Sequence, residues 1–260
     1  MTIKFLHLNI QGGRMLDEVV AYCKEKDFDI IQLQEVTDGF MSKNGLDTFE
    51  YIKNALGYEG VLAKSMKIIQ GDQESYFANA TFYKSSFELK DKKVVWLKYY
   101  EEYRDPADRT DPEFIKAFPH NALALKLQVG SRSFWAINTH LAWGPNPKDE
   151  PYKIDQAKKL ETFLKNLKDP FILSGDFNVT MDSAIIRSFD QFAINHARIA
   201  GLTNTLNPDL HRAADELFPG GLAVDYIYTT RDLKTSNFTL ITQPDLSDHL
   251  GLSIDLTIES

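Results

Sequence analysis

Apolar residues recur along this chain in short runs of β-branched and aromatic side chains, interrupted by a few stretches of helical spacing. The run Ile3–Asn9 predicts a buried strand, and the Gly12–Gly13 pair opens a turn into a helix over Met15–Lys26. A second strand, Asp29–Leu33, ends at Gln34 and Glu35. Leu46–Leu56 has helical spacing and is closed by Gly57 at the C-cap. Strands follow over Phe77–Tyr83 and Val94–Lys98, and Asn121–Val129 pairs with Ser133–His140 as a hairpin across Gly130 and Ser131. An amphipathic helix covers Asp149–Leu167, starting at Pro151, where proline is tolerated in the first turn. The last strands are Phe171–Leu173, Val224–Tyr228, Phe238–Ile241 and Leu250–Ile258. Tyr99–Pro119 fits neither period; dense in charge, aromatics and proline, it reads as a long connection of the kind that carries function. Many strands with few helices between them predict paired sheets faced by helices.

Composition adds bounds. With 43% hydrophobic residues, among them 17 Phe and 11 Tyr, residues 1–260 can build one large core, and a single domain is expected. Cys23 is the only cysteine, so no internal disulfide can form. The N-terminal apolar run stops at Asn9, without the features of a signal peptide, and no run approaches the ~20 apolar residues of a membrane helix. A soluble, cytoplasmic protein is the expectation. The net charge of −8 argues against a broad electrostatic grip on nucleic acid. It leaves open a phosphate held through a divalent cation, which clustered carboxylates bind.

Polar residues collect at strand ends: Asn9 and Gln11, Glu35, Asn138 and His140, Asp176 and Asn178, Asp225, and then Asp248 and His249. Singly, each has an ordinary alternative. Asp176 can cap a helix near Asp182, Asp248 can open a turn, and His140 can be a satisfied core histidine. Together they suit one chemistry. Glu35, Asp176 and Asp248 are hard oxygen ligands of the type Mg²⁺ takes, while Asn9, Asn178 and His140 can hold phosphate oxygens. Asp225 and His249 can form a carboxylate–imidazole pair. The chain has no Walker loop, GxSxG elbow, GxGxxG or zinc-type histidine pattern.

The motifs LNIQG, LQEV, NTHL, GDFN, DYIY and SDHLGL, spread from residue 9 to residue 251, resemble the endonuclease/exonuclease/phosphatase superfamily with its deoxyribonuclease-I-like fold. GDFN and SDH are specific as a pair. The resemblance implies a four-layer α/β/β/α sandwich of two packed, mainly antiparallel sheets flanked by helices, with the site at one end of the sheets. It also implies hydrolysis of a phosphate ester with Mg²⁺ or Mn²⁺. Glu35 then matches the principal metal-binding glutamate, with Asn9 beside it and Asp248 as the other acidic group near the metal. Asp176 matches the residue that prepares the attacking water, and Asn178 the asparagine that holds water and phosphate. His249, paired with Asp225, matches one phosphate-contacting histidine, and His140 a second. Gln11 departs from the repair nucleases of the superfamily, which carry an aspartate there.

The substrate implied is a phosphodiester, DNA or RNA among the candidates. A phosphatase or phospholipase-like activity on a small or lipid phosphoester is the alternative, and a catalytically idle scaffold a third reading. Substrate contacts are expected from the variable loops, through Arg104, Arg109 and Trp143, and from Asn79 and Gln11. Solvated arginines, a loop-packing tryptophan and an outward strand asparagine are the ordinary alternatives. His7, His196 and His211 match no motif and read as structural or surface residues.

Overall fold

In the computed structural model, residues 1–99, 103–104, 112–211 and 221–258 are described, with backbone alone at 103, 104, 112 and 114. The strands are β1 (Thr2–Asn9), β2 (Ile30–Thr37), β3 (Glu59–Gln70), β4 (Gln73–Tyr83), β5 (Glu88–Lys98), β6 (Tyr103–Arg104), β7 (His120–Val129), β8 (Arg132–His140), β9 (Phe171–Asp176), β10 (Ile194–Asn195), β11 (Asp225–Thr229), β12 (Lys234–Ile241) and β13 (Gly251–Thr257). They form a seven-stranded sheet, β12-β13-β1-β2-β4-β3-β6, and a six-stranded sheet, β10-β11-β9-β8-β7-β5. Most pairs are antiparallel; β1–β2, β3–β6 and β8–β9 are parallel. A 3-10 turn at Gln11–Gly13 and the helices α1 (Leu16–Lys26), α2 (Thr48–Leu56), α3 (Pro112–Ala117), α4 (Pro151–Lys165), α5 (Ala184–Asp190) and α6 (His196–Ile199) complete the element order of the described residues.

Strand alternation builds the layers. Ile3, Phe5 and Ile30 from one sheet meet Leu123, Leu125, Ala136 and Ile172 from the other in a central core. The opposite parity, Leu6, Leu8, Ile31 and Leu33, packs under α1 and α2 through Val19, Cys23, Phe49 and Ile52. On the far side, Ile137, Leu173, Tyr226 and Tyr228 pack under α4 and α5 through Leu160, Leu164, Ile186 and Phe189. The result is the expected α/β/β/α sandwich.

Toward one end, the inner faces change from apolar to polar without leaving the alternation. After Ile3 and Phe5 on β1 come His7 and Asn9, after Ile30 on β2 come Gln32 and Gln34, and after Ala136 on β8 come Asn138 and His140. All of these polar residues are buried. Gln34 and Asn138 bond to each other across the sheets. Gln34 Nε2 donates to Asn138 Oδ1 at 2.5 Å, and Asn138 Nδ2 donates to the carbonyls of Leu33 and Ala80 at 2.9 and 2.7 Å. Asn138 thus serves the sandwich.

Several elements differ from expectation. The strand β3 has no counterpart in the sequence reading: Lys64, Ser65 and Lys67 break its apolar pattern, and it is held by pairing with β4 along its whole length. β2 runs on to Thr37. Gly57 does cap α2, at φ 68°. Within the predicted Tyr99–Pro119 connection lie β6 and α3. Arg109 lies outside the described residues, as does the side chain of Arg104. Among the described residues no helix is long and apolar enough to cross a membrane.

Candidate active site

β1, β2, β8 and β9 finish at the polar end of the sandwich, and β11 and β13 begin there, so residues distant in sequence converge. On β9, Asp176 is buried. Its Oδ1 accepts the Asn178 backbone N–H at 2.9 Å and its Oδ2 accepts Asn9 Nδ2 at 3.2 Å. The same Oδ2 lies 3.6 Å from His140 Nε2 and 3.7 Å from His249 Nε2. Asn9 Nδ2 also donates to Glu35 Oε1 at 3.0 Å, tying the two carboxylates together across the sheets. Gln11 donates its backbone N–H to Asn9 Oδ1 at 3.1 Å.

Glu35 reaches this end because of a bulge. The β2–β4 pairing shifts between Leu33 and Val36, placing one extra residue in β2. Glu35 sits there at φ 57°. Unbroken alternation would send it outward with Ile31 and Leu33, under the helices; the bulge re-aims it inward. Gly175 serves the neighbouring strand. β9 continues straight through it, and a Cβ there would lie 2.3 Å from the Thr139 carbonyl oxygen, so only glycine allows β8 to approach this closely. Phe177 turns back into the core, fully buried against Phe189 and Tyr226. Asn178, at φ 52°, donates its Nδ2 to the Leu141 carbonyl at 3.0 Å.

The predicted Asp225–His249 pair is present: His249 Nδ1 lies 2.9 Å from Asp225 Oδ2, leaving Nε2 facing Asp176. Burial pushes the His249 pKa down, but Asp225 and Asp176 outweigh it, and the ring is held well above the usual histidine value. Burial would raise Asp225, yet His249 and His7 together hold it below the usual carboxylate range. His7 is the unforeseen member. Its Nε2 lies 3.0 Å from Asp225 Oδ1, and Thr205 Oγ1 donates to Oδ2 at 2.7 Å, so the carboxylate is fixed from both sides. His7 precedes Asn9 by two, hence shares its face; period-two alternation was the signal that could have found it. His211, likewise read as structural or surface, packs its ring edge-on to His249 at 5.6 Å.

By distance, Asp176, Asp225 and His249 form the metal-sized cluster among the described residues. Asp225 is already engaged on both oxygens, Oδ1 by His7 and Oδ2 by His249 and Thr205. Glu35 and Asp248 add further carboxylate oxygens that a cation could take. Burial raises the Glu35 pKa and the charge of Asp248 raises it further, with His140 opposing. A divalent ion held by oxygen donors would supply the missing positive charge. Asn79 stands apart, buried with its Nδ2 on the carbonyl and side chain of Asn121 at 2.9 and 3.1 Å. Trp143 is exposed on its loop. Beneath His140, the buried His120 Nδ1 meets the His140 carbonyl at 2.9 Å, and burial lowers its pKa to about 3.

Lys153 was also missed. It is fully buried on α4, and its Nζ donates to the carbonyls of Asn146 and Asn178 at 2.9 and 3.0 Å, buckling the loop after His140 to the turn after Asp176. Burial lowers its pKa to about 8, against the pull of Glu150, Asp176 and Asp149. Its spacing to Ala157, Leu160 and Leu164, all on the buried stripe, marks it as inward-facing. Lys153→Met leaves two carbonyls without a donor, a cost of about 2 kcal/mol after relief of the buried charge. We expect a melting temperature lower by about 5 °C and a reduced kcat; unchanged values for both would show that the buckle contributes nothing.

A family model described as the Endonuclease/Exonuclease/phosphatase family matches residues 6–249. The CCR4-Not complex 3'-5'-exoribonuclease subunit Ccr4 of Saccharomyces cerevisiae is 25% identical over 260 residues; the match covers 90% of this chain but 29% of that protein, so this chain spans under a third of its relative's length. The human Nocturnin catalytic domain, solved with bound sulfate, superposes with a TM-score of 0.73 at 19% identity, covering 98% of this chain and 93% of that one. A mannosyl-6-phosphatase of Bacteroides thetaiotaomicron gives 0.71 at 16% identity, covering 98% and 100%. With its matched segment running from β1 to His249, and its motif residues gathered at one end of the sandwich, this chain belongs to the Endonuclease/Exonuclease/phosphatase family, whose members are phosphoester hydrolases.

Proposed function

We propose that this chain hydrolyses a phosphodiester by in-line attack of water, with a divalent cation bound beside the reacting phosphate. The observation that supports this most is the meeting of Asp176 Oδ2 with Nε2 of both His140 and His249, at 3.6 and 3.7 Å, next to Glu35 and Asp248. Asp176 orients a water and accepts its proton; the Asn178 N–H and Asn9 Nδ2 hold the carboxylate in place. His249, kept protonated by Asp225, donates from Nε2 to a phosphoryl oxygen, and His140 supplies a second contact. Glu35, Asp248 and Asn9 would hold Mg²⁺ or Mn²⁺, which supplies charge neutralisation at a phosphoryl oxygen when bound. Asn178 steadies the same region through its bond to the Leu141 carbonyl. A nucleic acid or a nucleic-acid end is the preferred substrate, in keeping with the exoribonuclease name of the yeast relative.

A phosphatase-like activity on a small phosphoester is the second reading, favoured by the net charge of −8 and by the phosphatase name of the Bacteroides neighbour. Bis-p-nitrophenyl phosphate and p-nitrophenyl phosphate, assayed side by side, separate the two. The expected result is hydrolysis of the diester that EDTA abolishes and Mg²⁺ or Mn²⁺ restores, with the monoester slower by about tenfold or more. Faster monoester cleavage would move the assignment to the second reading. Absence of divalent-dependent hydrolysis of either compound would overturn both.

A further inference from the structure

We propose that His120 is the positioning residue of His140: its imidazole takes the place of a missing strand neighbour and fixes the backbone of the phosphate-contacting histidine. The inference rests on the hydrolase reading, in which His140 contacts a phosphoryl oxygen, and adds the residue on which that contact depends. The two site histidines are held in different ways. His249 Nδ1 lies on the Asp225 carboxylate at 2.9 Å. His140 Nδ1 is buried, and among the described residues no hydrogen-bond partner meets it. The aim of its Nε2 at Asp176 therefore has to come from the backbone and from packing.

The backbone is held at both edges of β8. Toward β9, the Leu141 N–H donates to the Asp176 carbonyl at 2.9 Å. Toward β7, the ladder ends at Ala122 and Thr139, one residue short of His140. Past that point His120 Nδ1 reaches the His140 carbonyl at 2.9 Å. A carbonyl only accepts, so Nδ1 carries the proton. Burial and the neighbouring His140 lower the His120 pKa to about 3, so the ring is neutral and Nε2 is a bare acceptor. That Nε2 is buried, with no partner among the described residues. A ring wanted for packing alone would be cheaper as phenylalanine, which buries no unpaired nitrogen. The bond to the His140 carbonyl is what the imidazole adds.

Packing supplies the second constraint. Phe77, Phe118, His120 and His140 form a closed circuit of rings. The centroids are 5.9 Å apart from His140 to Phe77, 6.0 Å from Phe77 to Phe118, 5.6 Å from Phe118 to His120 and 5.6 Å from His120 back to His140. These are distances of favourable aromatic contact. The His140 ring is thus gripped by Phe77 and His120, with Nε2 left 3.6 Å from Asp176 Oδ2. Loss of the His120 bond frees the His140 carbonyl at the end of the ladder, and Nε2 shifts with the backbone that carries it.

The test is a double-mutant cycle on bis-p-nitrophenyl phosphate, using His120→Ala, His120→Asn, His120→Phe, His140→Ala and each His120 change combined with His140→Ala. Misplacing a reacting contact by about 1 Å costs up to about 10²-fold. His120→Ala should therefore lower kcat by about tenfold or more, with KM within about twofold of wild type. His120→Asn, whose amide N–H still meets the carbonyl, should recover most of the loss. His120→Phe, which keeps a ring and lacks the donor, should not. In the His140→Ala background the same changes should alter kcat by less than about twofold, because nothing is left to position. A residue with a structural role alone would lower activity equally in both backgrounds. The long-range ¹H–¹⁵N spectrum of the wild-type protein should show His120 as the Nδ1–H tautomer, which reads the bond even where a variant fails to fold. Wild type that hydrolyses no diester would strike the catalytic reading, and the tautomer would still decide the bond. An Nε2–H tautomer, an undiminished kcat in His120→Ala, a Phe variant as active as the Asn variant, or an equal loss in both backgrounds would overturn the proposal.

Discussion

Replacing Asp176 by Asn is expected to lower kcat on bis-p-nitrophenyl phosphate by about 10³-fold, the effect of removing a general base, while the melting temperature stays within about 4 °C of wild type. The substitution keeps the shape and one acceptor oxygen, which can still take the Asn178 N–H now bonded at 2.9 Å. It removes the ability to accept a proton from water, and it removes the negative charge that two imidazoles face at 3.6 and 3.7 Å. Phe177 and Gly175, which set the course of the chain here, are untouched, and so is the packing of Phe177 on Phe189 and Tyr226. Circular dichroism and a thermal melt, run beside the kinetics, separate lost chemistry from lost structure. A variant that turns over like wild type would remove Asp176 from the reaction.

His249→Ala is the second large effect, with kcat down by about 10²–10³-fold, the usual loss for one donor aimed at developing charge. The fold should survive it, because Asp225 keeps His7 Nε2 at 3.0 Å and Thr205 Oγ1 at 2.7 Å as partners. No buried carboxylate is orphaned, which is what makes such deletions costly elsewhere. The loss should appear in kcat more than in KM, since the contact strengthens as charge gathers on the phosphoryl oxygens. A KM effect alone would recast His249 as a ground-state binding residue.

The strands that bracket the site could be read from their apolar runs, and so could α4 and the Gly57 cap of α2, because these depend on local spacing and backbone preference. The β3 strand could not. Its lysines and serine give it no clear period, and pairing with β4 supplies what the residues do not. Lys153 was hidden for a related reason: a lysine on an amphipathic helix ordinarily marks the wet face. Only the two carbonyls that meet its ammonium justify burying it.

The order and identity of the motif residues were determined by the sequence alone, as was the chemistry they suit: carboxylates for a cation, imidazoles for a phosphate, and one carboxylate to pair an imidazole. Residue types carry that information because ligand hardness and protonation are properties of the side chain itself. Tertiary structure decided which of them share a face and which atoms remain free. A single extra residue in β2 turns Glu35 from the helix side to the site, and strand parity brings His7 to Asp225 across the two sheets. Both are consequences of register between strands far apart in the chain. Register is set by pairing and core packing and by no local signal, so it becomes visible only once the sheets are assembled.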